Sequence, residues 1–187
     1  MRIRIVLGIA SHVTFFVGLS MLVPLCVSLY YQEGDAAPIA WSMAITVALA
    51  GLASLAFKTH EEEISRREGM MITTFTWLIV CLFGSLPLFL AKTLGPMNLE
   101  NFVNCFFESV SGFTTTGASI LGASVPVEKL THGLLFWRSF THWLGGMGII
   151  VLAVAILPML GVGGMQLFRA EASAHMHERL RPRIREC

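Results

Sequence analysis

Charged side chains are scarce in this sequence. Only 13% of its 187 residues are Asp, Glu, Lys or Arg, whereas 55% are hydrophobic, and the mean hydropathy is +0.69. A soluble domain typically carries about 25% charged residues. The composition therefore argues against a soluble globular domain and indicates a chain that lies largely in lipid.

Motifs for metal binding and for enzyme chemistry are also missing. The cysteines are widely separated and form no C-x-x-C pair, which argues against a zinc site and against a disulfide framework. No G-x-S-x-G elbow is present, so Ser111 with His142 is a poor candidate for an intramembrane hydrolase pair, and there is no nucleotide-binding signature. We therefore predict no catalytic residue, no covalently bound cofactor and no nucleic-acid partner. The cysteines are Cys26, Cys81, Cys105 and Cys187.

Several apolar runs are long enough to cross a bilayer, which takes about 20 residues. The first follows Arg2 and Arg4, as in a signal peptide, but it is much longer than the roughly 7–15 residues of a signal core, so we predict a retained helix. Pro24 predicts a kink in that helix, because a proline in a helix interior removes a hydrogen bond. The predicted spans are residues 5–30, 39–57, 70–90 and 130–160.

One further apolar segment, residues 99–112, is too short to span. At 1.5 Å per residue it covers about 20 Å, whereas the bilayer core is about 30 Å thick. At Ser111 and Gly112 it passes into a polar stretch. Irregular polar backbone at membrane depth is tolerated only where it is buried in protein or lines a water-filled path. The segment is therefore either a re-entrant pore helix with its loop or an interfacial helix followed by a Thr-rich turn.

The distribution of positive charge favours the re-entrant alternative. If the N-terminus is cytoplasmic, ten Lys and Arg side chains fall inside, two (Lys92 and Lys129) fall outside, and Arg138 lies within a span. This is a strong positive-inside bias. It requires the short segment to return to the side from which it came, because a further crossing would place the arginine-rich tail outside. We therefore predict a multi-pass protein with both termini cytoplasmic.

The polar stretch carries the groups that a dehydrated monovalent cation needs. Backbone carbonyls can replace the water shell of such an ion without a fixed charge, and Gly117 permits the required turn because glycine tolerates positive φ. Threonine and serine hydroxyls add oxygens, and the negative end of the preceding helix dipole favours a cation. No acidic side chain lies in the stretch, which argues against a calcium filter. The predicted filter residues are Thr114, Thr115, Thr116, Gly117, Ala118 and Ser119.

Two ionisable residues lie close to this stretch in the predicted topology: Glu108 in the short helix and Arg138 in the outer part of the last span. Ionisable groups at membrane depth are costly and usually paired. One hypothesis is an ion pair that clamps the pore loop against the last helix; the other is that each side chain reaches the outer interface separately. Gly145, Gly146 and Gly148 form either a hinge or a close-packing face, since small residues let membrane helices approach closely.

A close resemblance to the bacterial TrkH/TrkG potassium-uptake subunits, of the Trk/Ktr/HKT superfamily, is carried by two stretches: FFESVSGFTTTGAS and FWRSFTHWLGGMGIIVLAVAILPMLGVGGMQLFRAE. The resemblance implies an all-α integral membrane protein in which two leading transmembrane helices precede one helix–pore-loop–helix repeat. It implies potassium transport, with K⁺ at Thr115, Thr116 and Gly117. The stretch matches the TVGYG-type strand of potassium channels at Thr115 and Gly117 and departs from it at Ser119, where that strand has glycine.

The resemblance also implies a location and partners. Family members lie in the bacterial inner membrane, resemble four such repeats fused around one pore, and form dimers on a cytosolic nucleotide-binding regulatory ring. Because this chain carries one repeat, we expect either a fragment of a longer protein or an assembly of four copies; a non-conducting accessory polypeptide is the alternative. The expected segments are residues 1–58 (leading helices), 59–69 (cytoplasmic loop), 70–168 (repeat) and 169–187 (basic cytoplasmic tail).

Overall fold

A computed structural model describes residues 3–57, 66–122 and 126–159, and the regular elements in these ranges are helical. Two compact units divide the chain, residues 1–149 and 150–187; of the second, residues 150–159 are described, as helix. The elements are α1 (Ile3–Ser20), α2 (Leu22–Tyr31), α3 (Ala36–Ala56), α4 (Arg66–Gly84), α5 (Leu86–Leu90), α6 (Leu99–Phe113), a 3₁₀ turn (Val127–Lys129) and α7 (His132–Met159).

Three stretches of helix are long and apolar enough to cross a membrane, and they correspond to the first three predicted spans. They are Ile3–Tyr31, Ala36–Ala56 and Glu68–Leu90. The fourth predicted span, residues 130–160, runs past the end of the described residues and stays a prediction. The predicted loop 59–69 lies outside the described residues up to residue 65 and is helical from Arg66 onward. The predicted tail, residues 169–187, lies wholly outside them.

Prolines set the breaks inside the first and third spans. Pro24 has no N–H to donate to the carbonyl of Ser20, and its ring crowds that carbonyl. The break consequently falls at Met21, between α1 and α2, about one turn before the proline that causes it. The break between α4 and α5 falls at Ser85, two residues before Pro87. The predicted kink is therefore present, displaced toward the N-terminus by the reach of the helical hydrogen bond.

The helices pack closely where small residues face each other. α1 packs against α3 and α4, and α6 packs against α4 and α5. A Cβ at Gly18 of α1 would lie only 3.0 Å from Cγ2 of Thr46 on α3. Two buried apolar clusters result. The first consists of Val17, Met21, Val80, Cys81, Phe113 and Trp137; the second of Ile39, Leu88, Cys105, Leu121, Leu130 and Leu134.

The turn between α2 and α3 holds the start of α7 through a buried carboxylate. Asp35, which is 4% exposed, accepts hydrogen bonds from the Thr131 hydroxyl (2.5 Å) and the Leu134 backbone N–H (3.2 Å). The Ser28 hydroxyl also donates to it. The first N–H groups of a helix have no partner within the helix and favour negative charge, so Asp35 acts as a cap supplied from elsewhere in the chain.

A second carboxylate in the same turn makes a solvated contact. Glu33 accepts a hydrogen bond from the backbone N–H of His132 (2.6 Å) and contacts its Nδ1 (2.6 Å). The Tyr31 ring stacks on that imidazole at 3.9 Å between centroids. The backbone N–H of His132, followed by its ring, lowers the pKa of Glu33 below its usual value. Exposed pairs of this kind contribute little to stability.

We expect Asp35→Asn to lower the free energy of unfolding of the purified chain in detergent more than Glu33→Gln does. Both changes remove one carboxylate while keeping its shape. The first leaves buried donors poorly paired, which costs about 1–3 kcal/mol, whereas the partners of Glu33 are hydrated. Thermal unfolding followed by circular dichroism measures the difference. Equal shifts in Tm for the two variants would show that Asp35 does not tie α7 to the leading helices.

Candidate ion-binding site

α6 is a short helix that leads into the candidate site. Its N-terminus is capped by Asn98, whose side-chain oxygen accepts the N–H of Asn101 at 2.8 Å, as serine, aspartate and asparagine commonly do. Its 15 residues cover about 22 Å, which is less than the roughly 30 Å of a bilayer core. The helix is therefore too short to cross a bilayer.

The six predicted filter residues follow α6 directly, and all six are exposed. The backbone there adopts no regular structure and turns twice through the left-handed region. Gly117 has φ +77°, which fits its predicted role, and Thr115 has φ +57°. Positive φ is rare for a β-branched residue, and such conformations concentrate at functional sites. The first of the two turns thus occurs at a threonine, a residue type that does not predict positive φ.

Two hydrogen bonds connect this segment to Ser111 at the end of α6. The Ser111 carbonyl accepts the Thr116 N–H at 3.0 Å, and the Ser111 hydroxyl donates to the Ala118 carbonyl at 2.5 Å. The three carbonyls in between accept no hydrogen bond from any residue that the structure describes. Since backbone carbonyls are strong acceptors, they are available to a ligand. They belong to Thr115, Thr116 and Gly117.

Glu108 holds the segment where it leaves the site. This residue of α6 is 3% exposed. Its Oε1 accepts three hydrogen bonds: from the Ser119 hydroxyl (2.7 Å) and from the backbone N–H groups of Ile120 (2.5 Å) and Leu121 (3.2 Å). The last predicted filter residue, Ser119, therefore directs its hydroxyl toward the supporting helix.

Arg138 of α7 meets the other oxygen of the same carboxylate. Its Nε lies 3.2 Å from Oε2 of Glu108, and the side chain is 20% exposed. A buried carboxylate needs a partner of opposite charge and further hydrogen bonds, and Glu108 has both. Of the two alternatives for these residues, the structure has the paired one.

The glycines of α7 contact the end of α6 and its loop. A Cβ at Gly145 would lie 2.1 Å from the Phe113 carbonyl oxygen, which is a backbone atom. Among the described residues, a Cβ at Gly146 would meet only Thr115, at 4.0 Å, and one at Gly148 would lie 3.3 Å from the Trp77 ring. α7 is helical through all three. Their placement is thus that of a packing face, with the closest approach at Gly145.

Ser111 is the member of the site whose contacts were not predicted. It is 5% exposed and lies one turn after Glu108 on the same face of α6, which is the only sequence signal for its part in the site. Its hydroxyl bonds to a backbone carbonyl and not to His142, so the described geometry offers no support for a hydrolase pair. Among the described residues, no cluster of three or more His, Cys, Asp or Glu is placed to hold a metal ion.

Comparison with known proteins finds a family match over most of the chain. Residues 37–185 match the family TrkH, described as cation transport protein. TrkH of Vibrio parahaemolyticus is 36% identical over 187 residues, TrkH of Halomonas elongata 39% over 189, and TrkG of Escherichia coli 33% over 184. Each is named a Trk system potassium uptake protein, which is a transporter and not an enzyme.

The alignments also give the share of each relative's length that this chain covers. The alignments with them include 98–100% of this chain but 36–37% of each relative. The crystal structure of the potassium transporter TrkH from Vibrio parahaemolyticus superposes with a TM-score of 0.76 at 34% identity, over 95% of this chain and 36% of that one. The chain thus spans little more than a third of the length of the proteins it matches.

Proposed function

The chain belongs to the TrkH family of cation transport proteins, and from this premise we propose that it supplies one wall of the selectivity filter of a Trk-type potassium transporter in the bacterial inner membrane. One observation carries the proposal. Three successive carbonyls follow the end of a short helix, belong to the exposed residues Thr115, Thr116 and Gly117, and accept no hydrogen bond from the described residues.

The proposed topology has two leading spans followed by one helix–pore-loop–helix repeat, with both termini cytoplasmic. The three membrane-length helices, the short α6 and the start of α7 occur in the order that this topology needs. Ten Lys and Arg side chains would lie inside against two outside, in keeping with the positive-inside bias. The loop 59–69, the repeat 70–168 and the tail 169–187 keep the roles expected from the sequence.

Potassium is the proposed substrate, and backbone carbonyls are its proposed ligands. An ion that sheds its water requires several oxygens at once, and uncharged carbonyls bind it firmly enough to enter yet weakly enough to leave. The C-terminal end of α6 adds partial negative charge behind the segment. The hydroxyls of Thr114 and Thr116 lie 2.8 Å apart at its inner end and provide further oxygens.

A single wall surrounds an ion on one side, so the proposal requires other walls. Three more repeats would complete the ring, either from the remaining length of a protein like the relatives or from other copies of this chain, since closed rotational symmetry permits the latter. The further proposed partners are the lipid bilayer, a second subunit, and a cytosolic nucleotide-binding regulatory subunit.

Rubidium-86 uptake in a strain without potassium-uptake systems tests the proposal. Two polypeptides are compared: this chain alone, and a chimera in which its 187 residues replace the matched 37% of Escherichia coli TrkH, hereafter the chimera. We expect uptake by the chimera. Uptake by the chain alone would assign the other walls to further copies. A chimera that is inserted in the membrane but takes up no rubidium above the empty-vector strain would overturn the proposed function.

Gly117→Ser is expected to reduce rubidium uptake by the chimera about tenfold or more, because a side chain in the left-handed region costs about 1–2 kcal/mol and each 1.4 kcal/mol is roughly a factor of ten. The matched control is Gly122→Ser. Gly122 also has positive φ, +98°, and a Cβ added to either glycine would meet no atom of the described residues within 4 Å, so each substitution places a side chain in positive-φ backbone without a clash among them. Similar losses at both positions would contradict the filter role of Gly117.

A further inference from the structure

The peptide unit between Ala118 and Ser119 is held to the protein by one hydrogen bond. Its carbonyl accepts the Ser111 hydroxyl at 2.5 Å. Its N–H, that of Ser119, donates to none of the residues that the structure describes. Glu108 bonds to the Ser119 hydroxyl and to the Ile120 N–H, which follow this peptide unit in the chain, and to neither of the unit's own polar atoms. Its orientation therefore depends on the Ser111 hydroxyl.

Ser111 is well placed to fix that orientation. It is 5% exposed on the last turn of α6, and it uses both of its polar groups on the same segment. Its backbone carbonyl accepts the Thr116 N–H, and its hydroxyl donates to the Ala118 carbonyl. The stretch with unpaired carbonyls, from Thr115 to Gly117, lies between these two points of attachment.

We infer that Ser111 is a positioning residue that sets the outer limit of the ion-ligand set, by holding the Ala118 carbonyl against α6 and leaving the carbonyls of Thr115, Thr116 and Gly117 for the ion. This inference rests on the proposed function. A carbonyl that accepts a hydrogen bond from a hydroxyl points toward that donor and is therefore a weaker ligand for a cation. The Ser119 hydroxyl is likewise engaged, because it donates to Glu108.

Loss of the hydroxyl would free the Ala118 carbonyl without disturbing the other attachments. The backbone bond from Thr116 to Ser111 does not involve the side chain, and Glu108 still holds the segment beyond Ala118. The freed peptide unit can then rotate toward the exposed side and offer another oxygen. An additional oxygen changes both the size of the site and the number of coordinating carbonyls, the two properties to which the preference between potassium and sodium is attributed. The selectivity should therefore change more than the amount of protein.

The test is the ratio of rubidium-86 to sodium-22 uptake by the chimera. We expect Ser111→Ala to lower this ratio about threefold or more, since an unpinned carbonyl can close around a smaller ion. Ser109→Ala is the matched control: this serine is 3% exposed on the same helix, and its hydroxyl donates to a backbone carbonyl, that of Cys81, at 2.7 Å. The Ser109→Ala variant loses the same kind of hydrogen bond, but the lost bond goes to α4 and not to the proposed filter residues.

Two further variants separate positioning from general damage. Ser111→Thr keeps the hydroxyl and should keep the parental ratio, whereas Ser111→Cys, of similar size with a weaker donor, should give an intermediate one. An unchanged ratio for both Ser111→Ala and Ser111→Cys, or an equal change for Ser109→Ala, would overturn the inference. Uptake by the parental chimera tests the proposed function itself, so a failure there is distinguished from a failure of the Ser111 assignment.

Discussion

Replacement of Gly145 by alanine is expected to abolish rubidium uptake by the chimera and to lower its Tm, whereas Gly146→Ala should keep the parental uptake and should not lower the Tm. Both residues lie in the middle of α7, where alanine is favoured over glycine by about 1 kcal/mol per residue. Helix propensity alone therefore predicts that the two substitutions stabilise the protein equally. The atoms around Gly145 reverse this expectation at that position, whereas those around Gly146 do not.

The difference lies in what the new methyl group meets. At Gly145 it would lie 2.1 Å from the Phe113 carbonyl oxygen, 2.7 Å from the carbonyl carbon and 3.0 Å from Cα. These are backbone atoms, so no side-chain rotation relieves the overlap and α7 must move away from α6. Overpacking of this kind typically costs about 1–3 kcal/mol and occasionally more, which exceeds the gain in propensity. At Gly146 the nearest atom is Cγ2 of Thr115, at an ordinary 4.0 Å.

The predicted loss of transport follows from where the overlap occurs. Phe113 is the last residue of α6, and the proposed filter segment, residues 114–119, begins at the next residue. A displacement there moves the first turn of the segment, which the structure holds at positive φ on Thr115. Rubidium uptake and thermal unfolding of the purified chimera measure the two effects. If Gly145→Ala is as stable and as active as Gly146→Ala, the close contact between α6 and α7 is not part of the native packing.

The features that the sequence predicted are those with a local cause. The lengths of the first three spans, the break caused by Pro24 and the short helix after residue 98 follow from hydropathy, from a missing N–H and from rise per residue, so their bounds agree with the structure to within a few residues. The choice between hinge and packing face at Gly145 could not be made, because it depends on which backbone approaches the glycine. Thr115 was not expected at positive φ, since its side chain disfavours that conformation.

The contacts that connect distant parts of the chain could not be predicted from spacing. Asp35 and Thr131 are 96 residues apart, and no sequence pattern around either residue predicts their contact. The pair of Glu108 and Arg138 could be predicted because charged residues are rare in this chain, so each of the two had few possible partners of opposite charge. Ser111 was missed for the opposite reason: a serine that bonds to a backbone carbonyl resembles any other serine in sequence.

Glu108→Gln is expected to destabilise the chimera and to reduce its rubidium uptake strongly. The amide oxygen can still accept from Ile120 and Leu121, but the group that faces Arg138 no longer carries a charge. Breaking one partner of a buried ion pair costs about 3–5 kcal/mol; because Arg138 is 20% exposed and keeps some contact with water, we expect the lower end of that range. Unfolding in detergent and rubidium-86 uptake measure the effect.

Glu100→Gln provides the matched control, because Glu100 lies in the first turn of the same helix and is exposed. A double-mutant cycle then decides whether the pair acts as a unit. If Glu108 and Arg138 clamp the loop together, Glu108→Gln combined with Arg138→Gln should cost less than the sum of the two single changes, with a coupling energy of about 1–3 kcal/mol. Additive costs would mean that each side chain is stabilised independently. In that case the hydrogen bonds from Ser119, Ile120 and Leu121 to Glu108 would hold the end of the loop without a contribution from Arg138.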